Sequence, residues 1–244
     1  MEAHVGCSGY NYRDWKDLFY PLGLSQSKWL EFYALYYNTV EINTSFYRVP
    51  TEKSLKSWYD KTPQHFHFSV KANNQITHYK KFIDTKSIIK QFYDVVATGL
   101  KDKLDCILFQ LPPSFKYSEE SLVRIVEQLD PAFKNVLEFR DASWWNGDVY
   151  NAFKEYNIIF CVSSYPGLPD DFVQTADTVY VRLHGKTELY KSNYSDVELH
   201  QLHDAIEHTD VKEAYIYFDN TWGGNAIANA ACMKQLMTLN HKVV

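Results

Sequence analysis

The sequence predicts an α/β protein of the TIM-like (β/α)8 barrel class, and three observations predict it. Eight short runs rich in Val, Ile, Phe and Tyr alternate with helix-patterned segments over 244 residues, a length typical of one such barrel. Successive β-α-β units imply parallel neighbours joined by right-handed crossovers. Six of the runs end at their downstream tips in polar groups: VEINTSF at 40–46, FSVKAN at 68–73, ILFQLPP at 107–113, VLEFRD at 136–141, VYVRLHG at 179–185 and AYIYFDN at 214–220. These groups meet only if the strands close on themselves. A buried Glu, Lys, Arg or His needs a partner or a task. The carboxyl ends of the strands are where barrel enzymes keep their chemistry. A doubly wound open sheet is the alternative arrangement of the same units.

The elements follow in order. The strands are read at 4–8, 39–46, 66–73, 104–111, 135–141, 157–164, 178–184 and 213–220. Helices are read at 25–37, 51–60, 84–99, 118–129, 147–156, 195–208 and 224–239. Their apolar residues recur at helical spacing, as in Ile88, Ile89, Phe92, Val95 and Val96. Ser25, Thr51, Ser118 and Ser195 stand where polar caps belong. Between strands six and seven the segment YPGLPDDFVQTAD holds Pro166 and Pro169, which forbid a long helix and predict an irregular connection. No repeat or linker divides the chain, so residues 1–244 are read as one barrel domain.

Bulk composition narrows the function classes. The chain is 45% hydrophobic and 23% charged, with net charge −5, so it carries no global basic footprint of a duplex-binding protein. No apolar run approaches the ~20 residues of a membrane span, and the N-terminus lacks the pattern of a signal peptide. Four cysteines without a CxxC pair read as reduced, mostly buried thiols. Together these features place the protein in the cytoplasm.

Alternation along each strand then selects the lumen-facing side chains. It points Gly6 and Ser8, then Glu41, Asn43 and Ser45, then Ser69, Lys71 and Asn73 inward. It does the same for Gln110, Glu138, Arg140, Arg182, His184, Tyr217 and Asp219, with Asn220 close enough to the last tip to reach the site. Carboxylates and cations are nearly balanced in this set, as buried charges must be. Barrels also hold ion pairs that only fill space, and Arg182, two residues deeper than His184, is the best candidate for such a counter-ion. Clusters of interacting charges in a cleft concentrate at functional sites.

Two loop features join the set. TWGGNA at 221–226 places Gly223 and Gly224 just before the last helix, where barrels commonly bind phosphate. An aromatic series follows the strand ends: Tyr10, Tyr12, Trp15, Phe46, Tyr47, Trp144, Trp145, Tyr165 and Trp222. As a rim these rings suit sugars or bases; as plain packing they cap the barrel. His200, His203 and His208 lie on the sixth helix, at 195–208, in the pattern of a solvated helix face rather than a metal site.

The blocks GCSGYNYRDWKDLFYP, YNTVEINTSFYRVP, FHFSVKAN, LFQLPPSF, LEFRDASWW, VRLHG and YFDNTWGGNAIANA closely resemble the YecE-like family, domain of unknown function 72. The resemblance covers almost the whole chain and implies a TIM-like (β/α)8 barrel without implying an activity. The family's characteristic residues fall on Glu41, Lys71, Gln110, Glu138, Arg140, Trp144, Arg182, His184 and Asn220 among others. One departure is Asp219 before Asn220, where the family often has two asparagines.

Three readings of function follow. The leading one is an enzyme, without cofactor or metal, acting on an anionic phosphorylated or sugar-like molecule by hydrolysis, isomerisation or elimination. In it Lys71, Arg140, Arg182, Gln110, Asn220, Tyr47, Trp144, Trp222, Gly223 and Gly224 bind substrate, Glu41 or Glu138 is the general base, and His184 is the partner acid. The second is a divalent-metal barrel ligated by Glu41, Glu138, His184 and Asp219, opposed by the neighbouring cations. The third is a non-catalytic binder of single-stranded nucleic acid, weakened by the acidic pI. No reading involves a membrane.

Overall fold

A computed structural model of the chain describes residues 1–239. The eight strands are β1 (Glu2–Cys7), β2 (Thr39–Ile42), β3 (His67–Lys71), β4 (Leu104–Gln110), β5 (Lys134–Glu138), β6 (Ile159–Ser164), β7 (Thr178–Leu183) and β8 (Glu213–Phe218). All their pairings are parallel, and sequence neighbours are spatial neighbours, with β8 returning beside β1. The seam between β1 and β2 is held by a parallel bridge between Ser8 and Glu41. Gly6 makes that approach possible. A Cβ on it would lie 2.3 Å from the Thr39 carbonyl oxygen and 2.8 Å from the Tyr33 hydroxyl.

Among the described residues, seven α-helices cover the outside: α1 (Trp29–Tyr33), α2 (Glu52–Asp60), α3 (Lys86–Leu100), α4 (Glu119–Val126), α5 (Gly147–Glu155), α6 (Asp196–Glu207) and α7 (Asn225–Leu239). Residues 165–177 contain no helix, as their two prolines dictate. Thr51, Ser118 and Ser195 cap α2, α4 and α6 with their side chains. Ser195 and Glu198 also form a reciprocal capping box, a pairing the sequence carried in plain view. Ser25 does not cap, because its hydroxyl pairs with Ser27 instead. The expected helix at 25–37 is correspondingly broken. A 3₁₀ turn (Gln26–Lys28) precedes a short α1, and tight i→i−3 bonds follow it through the aromatic-rich run to Tyr36.

Strand alternation separates two cores. The outward set, including Val40, Ile42, Phe68, Val70, Ile107, Phe109 and Leu137, packs under the helices. The inward set forms a second cluster around Leu108, Val136, Ile159, Tyr180, Tyr215 and Tyr217. Tyr217 satisfies its buried hydroxyl between Thr39 Oγ1 at 2.6 Å and Ser69 Oγ at 2.8 Å. This plug floors the barrel, so the charged residues can gather only above it.

Most strands end a residue or two before the expected bound, and two fall furthest short. β2 stops at Ile42, because Asn43 turns into αR geometry and residues 44–46 make a 3₁₀ turn. β5 stops at Glu138, leaving Arg140 on the first turn beyond it. A π-helical turn, Gln75–Tyr79, follows β3, where the sequence pattern predicts only a connection. Among the described residues, no helix is long and apolar enough to cross a membrane.

Candidate functional site at the carboxyl end of the barrel

Arg182 on β7 organises the mouth of the barrel. Its Nε and Nη2 donate to Glu41 Oε2 and Oε1 at 3.0 and 2.7 Å, while Nη1 donates to Glu138 Oε2 at 2.6 Å. Glu41 also accepts from Ser8 Oγ at 2.8 Å and the Tyr180 hydroxyl at 2.6 Å. Each of its oxygens therefore accepts two bonds. Glu138 Oε1 faces Ser163 Oγ at 3.0 Å, His184 Nε2 at 2.8 Å and Arg140 Nη2 at 2.8 Å. His184 Nδ1 meets Asp219 Oδ2 at 2.8 Å. Alternation thus placed Glu41, Glu138, Arg182, His184 and Asp219 together in one network.

The electrostatics follow from this geometry. Burial alone would raise the Glu138 carboxyl, but Arg140, Arg182 and His184 hold it well below the usual carboxylate range. Asp219 shows the same opposition: burial raises it, and the His184 bond and the Arg182 charge outweigh that and lower it. Arg182 is kept charged against its own burial by Glu138, Glu41 and Asp219. Such a network is strongly coupled and expensive to break.

Burial revises the expected roles. Glu41, Glu138 and His184 have no side-chain surface open to solvent, whereas Asp219 keeps 14% and Arg140 5%. Glu41 has its acceptor positions filled and Glu138 is held ionised among cations, so neither is poised as a free general base. Arg182, 2% exposed, spends its donors on carboxylates and is a counter-ion rather than a substrate contact.

Different groups face the opening. Arg140 uses one nitrogen on Ser163 Oγ at 3.2 Å and one on Glu138, and its guanidinium lies 4.0 Å from the Tyr165 ring centroid. Its remaining N–H donors are left over. Lys71, at the end of β3, is half-buried, and its Nζ sits 4.4 Å from the Phe46 ring centroid. Among the described residues this Nζ makes no hydrogen bond or ion pair. Burial, then the Arg182 charge, pushes its pKa down to about 8. His78, on the π-turn, packs edge-on against Phe46 at 4.8 Å, with Nδ1 held by Thr77 Oγ1 at 2.9 Å. Burial and the nearby Lys71 charge lower its pKa. His78 has no periodic signature, because the π-turn that carries it repeats at neither the strand nor the α-helix spacing. Tyr190, whose ring is 6.2 Å from that of His184, lies in the loop after β7 and has none either. Tyr180 and Ser163 were within reach of the strand alternation.

The other expected contacts divide. Gln110 stands at the end of β4 beside Glu138 in register, and its amide donates to the Leu111 carbonyl at 2.8 Å. Asn220 is fully buried and its amide nitrogen donates to the Ser192 carbonyl and to Asn229 Oδ1, both at 2.9 Å, so it pins the loop after β7, while its own Oδ1 has no hydrogen-bond partner among the described residues. Trp144 is also fully buried. It stacks on Phe139 at 4.1 Å and Phe115 at 5.3 Å and donates its indole N–H to the Phe115 carbonyl. It is a packing residue, as is the buried Trp15. Tyr47 and Trp222 are exposed, at 78% and 58%. Gly223 and Gly224 turn into α7 with φ of 65° and 82°, a left-handed pair suited to glycine.

The donor set decides what a metal would meet here. A divalent ion among Glu41, Glu138, His184 and Asp219 would have to displace Arg182 and the Arg140 and His184 contacts from the same oxygens, so the arrangement does not fit one. At the opposite end of the barrel, Glu2, His4 and His67 each bring a ligand-type atom within 4.8 Å of the others, with Asp105 at 2.7 Å from His67 Nδ1.

An eight-stranded parallel barrel with an arginine-centred ion network at its carboxyl end defines the class: a TIM-like α/β barrel with its polar site where such barrels place chemistry. The family model described as Protein of unknown function DUF72 matches residues 4–244, and the chain belongs to that family. It is 25% identical to the UPF0759 protein YunF of Bacillus subtilis over 98% of this chain and 95% of that protein. A crystal structure of a DUF72 family protein from Thermotoga maritima superposes with a TM-score of 0.89 at 29% identity, covering 97% of this chain and 99% of that one. A second DUF72 family structure, from Enterococcus faecalis, has a TM-score of 0.83 at 20% identity over 96% and 95% of the two chains.

Proposed function

We propose that the protein is an enzyme acting on a small anionic molecule, phosphorylated or sugar-like, held at the barrel mouth by Lys71 and Arg140. The observation that carries this reading is the unpaired Lys71 amine beside three carboxylates that are all satisfied by other partners. A lysine kept only for stability would pair with Glu41, Glu138 or Asp219. Here Arg182, Arg140 and His184 occupy their oxygens, so the Lys71 amine is bonded to none of them and stays open to a ligand. Arg140 supplies the directed fork of donors that an oxyanion needs. Tyr165 and Phe46 give its apolar body a wall.

In this reading the buried network is support. Glu41 and Glu138 fix Arg182, and His184 orients Asp219, the one carboxylate of the network with appreciable open surface. Acid–base work then falls to Asp219, backed by His184, and to His78 across the opening. The four free cysteines, three of them buried, fit a reducing compartment such as the cytoplasm. A thermal-shift screen with phosphate, sulfate, sugar phosphates and small carboxylates tests the reading. At least one anion raises the Tm of the parent saturably and leaves Arg140→Ala unmoved. Equal stabilisation of both proteins, or of neither by any anion, rejects it.

A further inference from the structure

We infer that Lys71 is a covalent nucleophile, forming a Schiff base with the carbonyl carbon of an anionic aldehyde or ketone bound at the mouth. This rests on the functional reading above and names its substrate class: a carbonyl compound bearing a carboxylate or phosphate. Geometry carries it. An imine-forming amine must offer a lone pair, so it cannot be locked into an ion pair. Lys71 Nζ is free of hydrogen bonds and ion pairs among the described residues and lies over the face of Phe46, 4.4 Å from the ring centroid. It is half-buried, so a small molecule can reach it. The charged groups that act on it are Glu41 from β2, His78 from the π-turn, Glu138 from β5, Arg182 from β7 and Asp219 after β8. The carboxylates among them are already engaged, and Arg182 repels the ammonium form. Arg140, with donors to spare, is set to hold the anionic end of the same molecule.

The step balances without an oxidant. The Lys71 ammonium gives one proton to water, and the neutral nitrogen attacks the carbonyl carbon. A C–N bond forms as the C=O π pair moves to oxygen, which takes up a proton. The carbinolamine then loses its hydroxyl with a further proton as water, leaving a protonated imine. Ammonium and carbonyl thus become iminium and water.

The depressed pKa of Lys71, about 8 against an ordinary 10.5, gives it a neutral fraction at pH 7 roughly 300-fold that of an ordinary lysine. The experiment incubates the full chain with glyoxylate, a small anionic aldehyde, and reduces any imine with borohydride, which delivers hydride to the imine carbon. Peptide mass spectrometry then locates the carboxymethylated lysine. Lys71 is expected to be modified at least tenfold faster than any surface lysine at pH 7, with its rate half-maximal near pH 8. Excess phosphate is expected to protect it. Modification of surface lysines with Lys71 spared overturns the inference, as does a Lys71 rate still rising in proportion to hydroxide up to pH 10. Lys71→Arg, checked for folding by circular dichroism, should lose the adduct. If phosphate still raises the Tm of the parent while no adduct forms at Lys71, the Schiff base fails and the anion site stands. If phosphate and other anions do nothing, both fail.

Discussion

Replacing Arg182 by Met should be the most damaging single change at the mouth of the barrel. Arg182 satisfies both oxygens of Glu41 and one of Glu138, at 2.6–3.0 Å. Methionine keeps much of the volume but none of the donors. Glu138 would retain Arg140, His184 and Ser163, whereas Glu41 would retain only the neutral Ser8 and Tyr180 hydroxyls. The loss therefore falls on Glu41, a fully buried carboxylate left without a cation. Removing one partner of a buried pair costs about 3–5 kcal/mol. For a chain of this size that corresponds to a fall in Tm of roughly 6–20 °C. Differential scanning calorimetry at pH 7 measures it. Adding Glu41→Gln to Arg182→Met should recover about 2 kcal/mol, because the stranded charge is gone. An Arg182→Met protein within about 1 kcal/mol of the parent, or a double variant less stable than the single, would refute the reasoning.

Three further outcomes follow from particular residues. Lys71 has its pKa pushed by burial, then by Arg182, to about 8, below its ordinary 10.5, so the unfolded chain binds the proton more strongly and stability rises with pH between those values. The penalty is complete below pH 8, and Lys71→Met should accordingly stabilise the protein by about 1–3 kcal/mol at pH 7, an advantage that fades toward pH 10.5; urea titrations at several pH values check it, and a variant no more stable than the parent at pH 7 contradicts it. Trp144→Ala should cost about 3–5 kcal/mol with a fall in Tm, since it empties a stack between Phe139 and Phe115; a near-neutral result would return Trp144 to the ligand rim. Gly6→Ala should destabilise by several kcal/mol, on the order of 3, because its Cβ meets the Thr39 carbonyl at 2.3 Å; unchanged thermal unfolding would mean that the β1–β2 seam is loose.

The barrel was legible because parallel strands buried on both faces still alternate, and in this chain the inward set is polar at the downstream tips. That pattern alone brings Glu41, Glu138, Arg140, Arg182 and His184 together. It could not say which of them are saturated. Side-chain orientation follows from strand period, but burial of the last few ångströms depends on which partners share an oxygen, and that is three-dimensional. Hence Glu41 and His184 were expected to react and are enclosed. Trp144 and Trp15 follow strand ends, as rim residues do, yet an indole that can donate to a nearby carbonyl packs inward more favourably than it stays wet. Asn220 was near enough to the tip to serve the site and is instead spent on the loop after β7. His78 had no signal, since the π-turn that presents it obeys neither the period of a strand nor that of an α-helix. The failed Ser25 cap has a local cause, a competing hydroxyl two residues on.

The central claim is that the barrel mouth binds an anion through Lys71 and Arg140 while Arg182 stays locked below. Side-chain ¹⁵N NMR on a titration with inorganic phosphate tests it directly. The account predicts saturable shifts of the Arg140 Nε and Lys71 Nζ resonances with a common Kd, and an Arg182 Nε resonance that does not move because its donors remain on Glu41 and Glu138. Shifts confined to surface lysines, or an Arg182 resonance that moves while Lys71 and Arg140 stay still, would contradict it.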